Sequence, residues 1–345
     1  MIAIHHRPGS FSERWLTYCR EHDIAFKLIN CYENDIIEQV RECDVVLWHW
    51  HHTLTRDALF AKGLIKTFEL MGKKVFPSTN TCWHYDDKVG QKYLFESVDA
   101  PFINTYVFYD KQAALEWVEQ ASFPKIFKLR GGAGSLNVTM CSSKERAIKK
   151  IKQAFSKGFN SRNRFYTLRN KLWHLKRDRT VKSLIELYKG IARIFILSES
   201  DKNASVEKNY VYFQDFVPNN DHDIRIIVIG KRAFAIKRMV RDGDFRASGS
   251  GKILYDPALI PLECVRMAFD VTKKIRSQCT AYDFVFLNGK PLIIEVSYGF
   301  SSNAYRECPG YWDNELTWIS KKFQPEDFML EDVLNKQLHE SGVLS

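Results

Sequence analysis

The residues best suited to chemistry in this 345-residue chain lie in FPKIFKLRGGAGSLNV, residues 123–138. Lys128 closes an apolar run and is followed by Gly131, Gly132, Gly134 and Ser135. Amides of a glycine loop can cradle phosphate oxygens, and a lysine beside them can neutralise the charge. The order does not suit the familiar phosphate loops. A P-loop places its lysine after the glycines and then opens a helix, and a dinucleotide fingerprint also runs into a helix. Here the residues after the loop, SLNVTMC, alternate as a strand does. Lys88, which begins a predicted helix after YDD, is a second candidate cation for the same phosphates.

A carboxylate pair lies further on, in AYDFVFLNGKPLIIEVS, residues 281–297. Asp283 and Glu295 fall on two strands joined by the turn LNGK. Hairpin pairing brings their side chains together. With no lysine beside them, two carboxylates need a cation, and a few hard oxygen ligands suit Mg2+ bridging nucleotide phosphates. An ordinary solvated hairpin would show the same pattern. Between the two segments, YFQDFVPNNDHDIR places a strand end and an exposed turn before Asp223 and Arg225. Backbone groups from Gln214 through Asp215, Phe216 and Val217 could pair with an adenine edge, and Asp223 could take ribose hydroxyls. Each feature is weak alone. Their order along the chain is the stronger signal.

Those residues need rigid elements to hold them. Residues 1–85 alternate strand and helix at a spacing that predicts parallel strands with helices on both faces. The strand DVVLWHW is expected to continue through residue 50. Residues 86–156 read as a compact unit of two strands, helices and the glycine loop, with Asp110 a predicted N-cap. Residues 157–206 break the rhythm. From 160 to 193 ten basic residues stand against only Asp178 and Glu186, and interleaved apolar and aromatic residues predict amphipathic helices. Residues 207–310 return to strands and hold the nucleotide hinge and the carboxylate pair, and 311–345 form a tail with a predicted helix. The fold class is α/β.

Composition agrees with a globular chain: 45% apolar, 14% aromatic, net charge +10. No apolar run reaches the roughly 20 residues that span a bilayer. The N-terminus has no basic-then-apolar signal region. The eight cysteines form no C-x-x-C pair, which argues against a zinc knuckle and a disulfide framework and fits a reducing cytoplasm.

The order of segments from about residue 86 to 303 resembles the ATP-grasp superfamily, in particular its glutathione-synthetase and ribosomal-protein glutamate-ligase branches. DDKVGQKYLFESVDAP is similar to the family's Asp-Lys helix and the turn after it, and FPKIFKLRGGAGSLNV to its lysine strand and lid loop. QDFVPNNDHDIRIIVIGKRAFAIKRMVRDGDFR is similar to its Q-E-F-I…D-I-R…G-D-F-R segment, and AYDFVF…PLIIEVSYGF to its V-D…L-E-V-N segment. The resemblance implies an ATP-grasp fold with an N-terminal Rossmann-like (pre-ATP-grasp) lobe and, in this chain, a basic helical insertion. It implies Lys88 and Lys128 on the phosphates, Asp223 on the ribose, and Asp283 with Glu295 on magnesium. It sets Arg225 and Arg238 against the transferred phosphoryl group and the acyl substrate, and matches Arg246 to the basic residue of the family's G-D-F-R, counted with them as catalytic. Where the family has a second metal-binding Asn, this chain has Ser297, a poorer ligand for which Asn303 could substitute.

The resemblance implies an ATP-dependent ligase that joins a carboxylate to an amine through an acyl phosphate, with the glycine loop closing over the intermediate. His49 and His51, alternating on their strand beside His52, could contact substrate, pack as a bland cluster, or chelate a metal. Trp83 and His84 precede Lys88, and aromatics at such a crevice suit a sugar ring. A looser similarity of the N-terminal lobe to ATP-grasp proteins of bacterial surface-polysaccharide gene sets suggests a uronic-acid glycan precursor and a small amine or amino acid. A peptide or protein amino-acid ligase, and a non-catalytic ATP-binding scaffold docking polysaccharide machinery, are the alternatives. The basic segment 160–193 suits a solvated hairpin, a polyanion, or an anionic membrane surface, so the expected location is cytoplasmic, peripheral to the inner membrane face. No recognised nucleic-acid module accompanies it. A homo-oligomer is compatible with all of this.

Overall fold

The computed structural model describes residues 1–132, 137–160, 168, 171–172, 175, 180–195, 206–240 and 251–340. It divides into two compact units. Unit 1 comprises Met1–Tyr85, Tyr93–Phe102 and Asn219–Ser345; unit 2 comprises Asp86–Lys92 and Ile103–Pro218.

Unit 1 begins with β1 (Ile2–His5), α1 (Ser12–Glu21), β2 (Phe26–Ile29), α2 (Ile36–Gln39), β3 (Val45–Leu47), α3 (Thr55–Leu70), β4 (Lys74–Phe76) and α4 (Thr79–Cys82). The strands are parallel in the order β2-β1-β3-β4. Side-chain alternation sends Ile2, Ile4, Val45 and Leu47 to one core, and Ala3 and Val46 to another that also holds Ala61, Ile65 and Phe68 of α3. Apolar residues on both strand faces are what a parallel sheet between helices requires. The third strand is shorter than expected and ends at Leu47 rather than reaching residue 50.

Unit 2 follows with α5 (Lys88–Ser97), whose first residues count with it, then β5 (Thr105–Phe108), α6 (Lys111–Gln120), β6 (Lys125–Lys128), β7 (Thr139–Cys141), α7 (Lys144–Ala154), β8 (Phe159–Asn160), α8 (Val181–Phe195), β9 (Val206–Glu207) and β10 (Val211–Asp215). The side chain of Asp110 accepts the Ala113 N–H at 2.8 Å and caps α6. The main sheet runs β5-β10-β6-β7 with antiparallel neighbours. Ala114, Val118, Ala147 and Ile151 of α6 and α7 bury Phe127 and Phe213 against it. Residues 207–218 were expected to open the C-terminal lobe, but β10 inserts between β5 and β6. Its alternating Val211 and Phe213 complete that smaller core.

The chain then returns to unit 1 with β11 (His222–Ile229), β12 (Arg232–Met239), β13 (Ile253–Leu254), α9 (Leu262–Lys274), β14 (Cys279–Leu287), β15 (Lys290–Ser297), β16 (Tyr311–Asp313), β17 (Trp318–Ile319) and α10 (Pro325–Glu340). The sheet order is β15-β14-β11-β12-β16-β17, with β13 on β12. On β11, Ile224, Ile226 and Val228 face the core under α9, while Ile227 and Ile229 face a core shared with β1, β3 and α10. Asp223 and Arg225 continue the second series by period-2 alternation, and this sets the charged cluster described below.

Candidate functional site

In unit 2 the two candidate phosphate lysines are both buried, at 3% and 7% exposure. Lys88 Nζ donates to the Gly132 carbonyl at 2.9 Å, and the Lys88 N–H donates to the Arg130 carbonyl. Asp86 Oδ1 accepts the Gly132 N–H at 2.8 Å, and a Cβ on Gly131 would lie 3.0 Å from Asp86 Oδ2. The start of the glycine loop is therefore pinned to the segment that carries Lys88. Lys128 Nζ donates to Gln214 Oε1 at 2.6 Å, and Gln214 Nε2 donates to Thr105 Oγ1 and to Tyr212 Oη. Lys125, at the other end of β6, donates to Asp215 Oδ1 at 2.5 Å. The Asp215 N–H donates to the Asn104 carbonyl. Gln214 and Asp215 thus act first as internal partners of the two β6 lysines.

In unit 1 the charged residues converge. β-ladder register sets Asp223 opposite Arg238, Arg225 opposite Asp283, and Asp283 opposite Glu295. Arg238 donates through Nε and Nη2 to the two oxygens of Asp223, both at 2.6 Å, and its Nη2 lies 3.0 Å from Asp283 Oδ1. Arg225 donates through Nε and Nη2 to Asp283 at 2.6 and 3.1 Å. Burial pushes the Asp283 carboxyl up, but the guanidiniums of Arg225 and Arg238 outweigh it and hold it below the usual carboxylate range. The sequence shows no lysine beside the carboxylate pair; strand order instead brings arginines from β11 and β12 to Asp283.

The approach of Glu295 to Asp283 depends on a β-bulge. Asn288 and Gly289, at φ 52° and 79°, make the two-residue turn of the hairpin. From that turn a regular ladder pairs Leu287 with Lys290 and Phe284 with Ile293, and would pair Asp283 with Ile294. The register shifts by one residue between Asp283 and Phe284, so Asp283 meets Glu295. Without the bulge, Glu295 would face away, because a one-residue slip inverts every side chain.

His49 and His51 are not paired on one strand face as alternation predicts. His49 is buried, stacks on Phe11 with ring centroids 3.7 Å apart, and accepts the Phe11 N–H on Nδ1. Burial holds it well below its usual pKa, so it is neutral. His51 instead stacks on His52, at 4.5 Å, and His52 Nδ1 lies 2.8 Å from the Tyr85 hydroxyl. The physical reason is the early end of β3, after which strand alternation no longer applies. Trp83 is exposed with its ring edge-on to buried His84, whose pKa burial lowers to about 4. Asn303 is exposed on the turn Ser302–Tyr305. Gly134, Ser135 and Arg246 lie outside the described residues.

Residues 177–305 match the RimK-like ATP-grasp domain, a span that contains Asp223, Arg225, Arg238, Asp283 and Glu295. The chain has the ATP-grasp fold. Among solved structures, a D-alanine–D-alanine ligase from Bacillus anthracis aligns over 98% of this chain and 98% of its own, with 11% identity and a TM-score of 0.58. The same enzyme complexed with ATP aligns over 98% and 97%, with 12% identity and a TM-score of 0.56. A D-cycloserine synthetase aligns over 98% and 99%, with 13% identity and a TM-score of 0.56. No curated protein matches the chain by sequence.

An ATP-grasp fold implies a magnesium nucleotide, and the donor set can be tested for one. Among the described residues no group of three or more His, Cys, Asp or Glu side chains could hold a metal ion. A metal here would rest on Asp283 and Glu295 and complete its shell with phosphate and water oxygens, which is how Mg2+ is usually held. Each carboxylate oxygen has two lone pairs, so Asp283 can hold its arginines and still offer one. The pair fits. Ser297 fits less well, since its hydroxyl closes a turn with Gly299, 2.7 Å from the carbonyl and 3.1 Å from the N–H. Sequence reasoning missed Asp86 as the anchor of the glycine loop. Its only trace is the DD doublet before Lys88.

Proposed function

We propose that this ATP-grasp protein is an ATP-dependent carboxylate–amine ligase, forming an amide with release of ADP and phosphate. The observation that carries the reading is the bulge that turns Glu295 toward Asp283, beside buried Arg238 and half-buried Arg225. An exposed hairpin would have no need of such a device. In this reading a substrate carboxylate takes the γ-phosphoryl group of ATP, and an amine then displaces phosphate from the acyl phosphate. Lys88 and Lys128 neutralise nucleotide phosphates, Asp223 takes the ribose hydroxyls, and Arg225 and Arg238 meet the reacting oxygens. Magnesium, when bound, shields the phosphate charge; Asp283 and Glu295 would hold it. Fixed charges of this kind need little reorganisation as negative charge develops. The ligases among the structural relatives support the reading at the level of fold.

For the acyl donor we favour a uronic acid, because the exposed Trp83 offers a flat face to a sugar ring. The test is ADP release with Mg-ATP across a matrix of carboxylates (glucuronic and galacturonic acids, their nucleotide-linked forms, short peptides) and amines (amino acids, ethanolamine, serinol). ADP is expected only where a sugar acid and an amine are both present. ADP with peptides instead would replace the uronic acid by a peptide substrate. ATP binding with no ADP from any pair would favour a non-catalytic scaffold.

A second partner is favoured by α8. Val181, Leu184, Ile185, Tyr188 and Ile191 recur at helical spacing and are all exposed, Val181 by 74% and Tyr188 by 75%. The opposite side of the helix approaches Lys171 so closely that a Cβ on Gly190 would meet its Cδ at 2.8 Å. Among the described residues no helix is long and apolar enough to cross a membrane. An exposed apolar stripe in the chain's most basic segment suits docking onto an anionic membrane face. Leu184→Asp with Tyr188→Asp should lower co-sedimentation with phosphatidylserine vesicles by at least about tenfold. Undiminished binding would exclude this face.

A further inference from the structure

Tyr305 lies on the turn Ser302–Tyr305 after β15 and is 3% exposed. Its ring is held edge-on to Phe234 at 5.2 Å and to Phe300 at 5.5 Å. These belong to the same core as Ile227, Ile229 and Ile236, and Ile236 pairs directly with Arg225 across the β11–β12 ladder. The aromatic contacts fix the ring but leave the hydroxyl buried with no hydrogen-bond partner among the described residues. A buried tyrosine hydroxyl almost always finds one. The charged groups that act on it are Arg225, Arg238 and Asp283. Both arginines feel it in return. Burial pushes the phenol up by more than the arginines draw it down, so at neutral pH it is a protonated donor.

The surrounding donors are incompletely used. Each guanidinium carries five N–H groups, and the bonds to Asp223 and Asp283 engage only Nε and Nη2 of each. Among the described residues, two Nη1 groups and one phenol O–H of the same charged cluster thus have no acceptor. An uncharged ligand would not need two guanidiniums, and a planar carboxylate is satisfied by one fork. A tetrahedral group with several anionic oxygens can use donors from all three side chains.

We propose that Tyr305 Oη donates a hydrogen bond to a phosphoryl oxygen held by Arg225 and Arg238, making it a ligand-binding residue of this site. The identity of that group as the transferred phosphoryl rests on the ligase reading; the oxyanion site itself does not. No bond is made or broken by Tyr305, which keeps its proton throughout.

The test is Tyr305→Phe, which keeps the ring and its packing and removes only the hydroxyl. Inorganic phosphate is the probe, titrated calorimetrically against the full chain, with acetate as the planar comparator. Phosphate affinity should fall by about tenfold, the usual weight of one hydrogen bond to a charged group, while acetate and ATP affinities hold. The melting temperature should not fall, because the hydroxyl makes no bond among the described residues; a merely structural role would lower it. With an active substrate pair, kcat should fall while KM for ATP is unchanged. Equal phosphate affinity in the two proteins, or no phosphate binding by the wild type, would overturn the proposal. Weaker phosphate binding without ADP from any substrate pair would sink the ligase reading and leave Tyr305 standing. ADP formation with an unaltered Tyr305→Phe enzyme would do the reverse.

Discussion

Glu295→Gln should lower Mg2+-dependent ADP formation by at least about 100-fold, the usual scale for removing one preorganised charge from such a site, and should leave the melting curve nearly unchanged. Glutamine matches glutamate in shape and sits on the same bulged strand, so the β14–β15 ladder keeps its register. What is lost is one of two hard anionic ligands, and an amide oxygen holds Mg2+ less well than a carboxylate. Asp283 would remain, but with Arg225 and Arg238 on its oxygens it cannot hold the metal alone. A coupled ADP assay with a magnesium titration, run beside circular-dichroism melting, checks both halves. Turnover equal to wild type would remove Glu295 from the metal site.

Arg238→Met should destabilise the protein by about 3–5 kcal/mol, the effect expected when one partner of a buried ion pair is removed. Arg238 is 8% exposed and serves two carboxylates, Asp223 and Asp283, at 5% and 7% exposure. In the wild type the Asp283 carboxyl is held below its ordinary range, so its contribution is present above that range and is lost as pH falls through the depressed value. In the variant Asp283 keeps Arg225, but Asp223, which burial already pushes up, loses the Arg238 fork and should titrate higher still. Its penalty then grows at neutral pH and is relieved as pH falls. The stability deficit against wild type should therefore shrink between about pH 8 and about pH 5. Urea denaturation at several pH values reads this directly. Adding Asp223→Asn should recover part of the loss, and a deficit independent of pH would mean that packing, not charge, is what Arg238 supplies.

Much of the machinery was legible in local pattern. Lys128 ahead of three glycines, Asn288-Gly289 between two apolar runs, Asp110 at a helix start and the strand–helix alternation of the first 77 residues are short-range signals. Each depends on the conformational preferences of a few neighbouring residues. The resemblance to ATP-grasp proteins added the order of the segments. It could not supply their partners. That β10 pairs with β5 and β6 follows from the place left between those two strands, not from anything in VYFQD. That His49 packs on Phe11 follows from where β3 stops.

The sequence by itself determined which residues carry charge, which strands have an apolar face, and that a lysine, a glycine loop and two carboxylates occur in an order suited to phosphoryl chemistry. The tertiary structure decided the rest. Strand order set two arginines against Asp283, where the sequence shows no lysine beside the pair. A one-residue bulge at Ile294 decided whether Glu295 faced that cluster or the opposite side of the sheet. Aromatic packing of Tyr305 left a buried hydroxyl beside the same guanidiniums. Each outcome depends on the relation between residues about 10 to 80 apart in sequence, and side-chain direction across a sheet reverses with every single-residue shift in pairing. Local preference cannot specify such a relation; the packing of whole strands does.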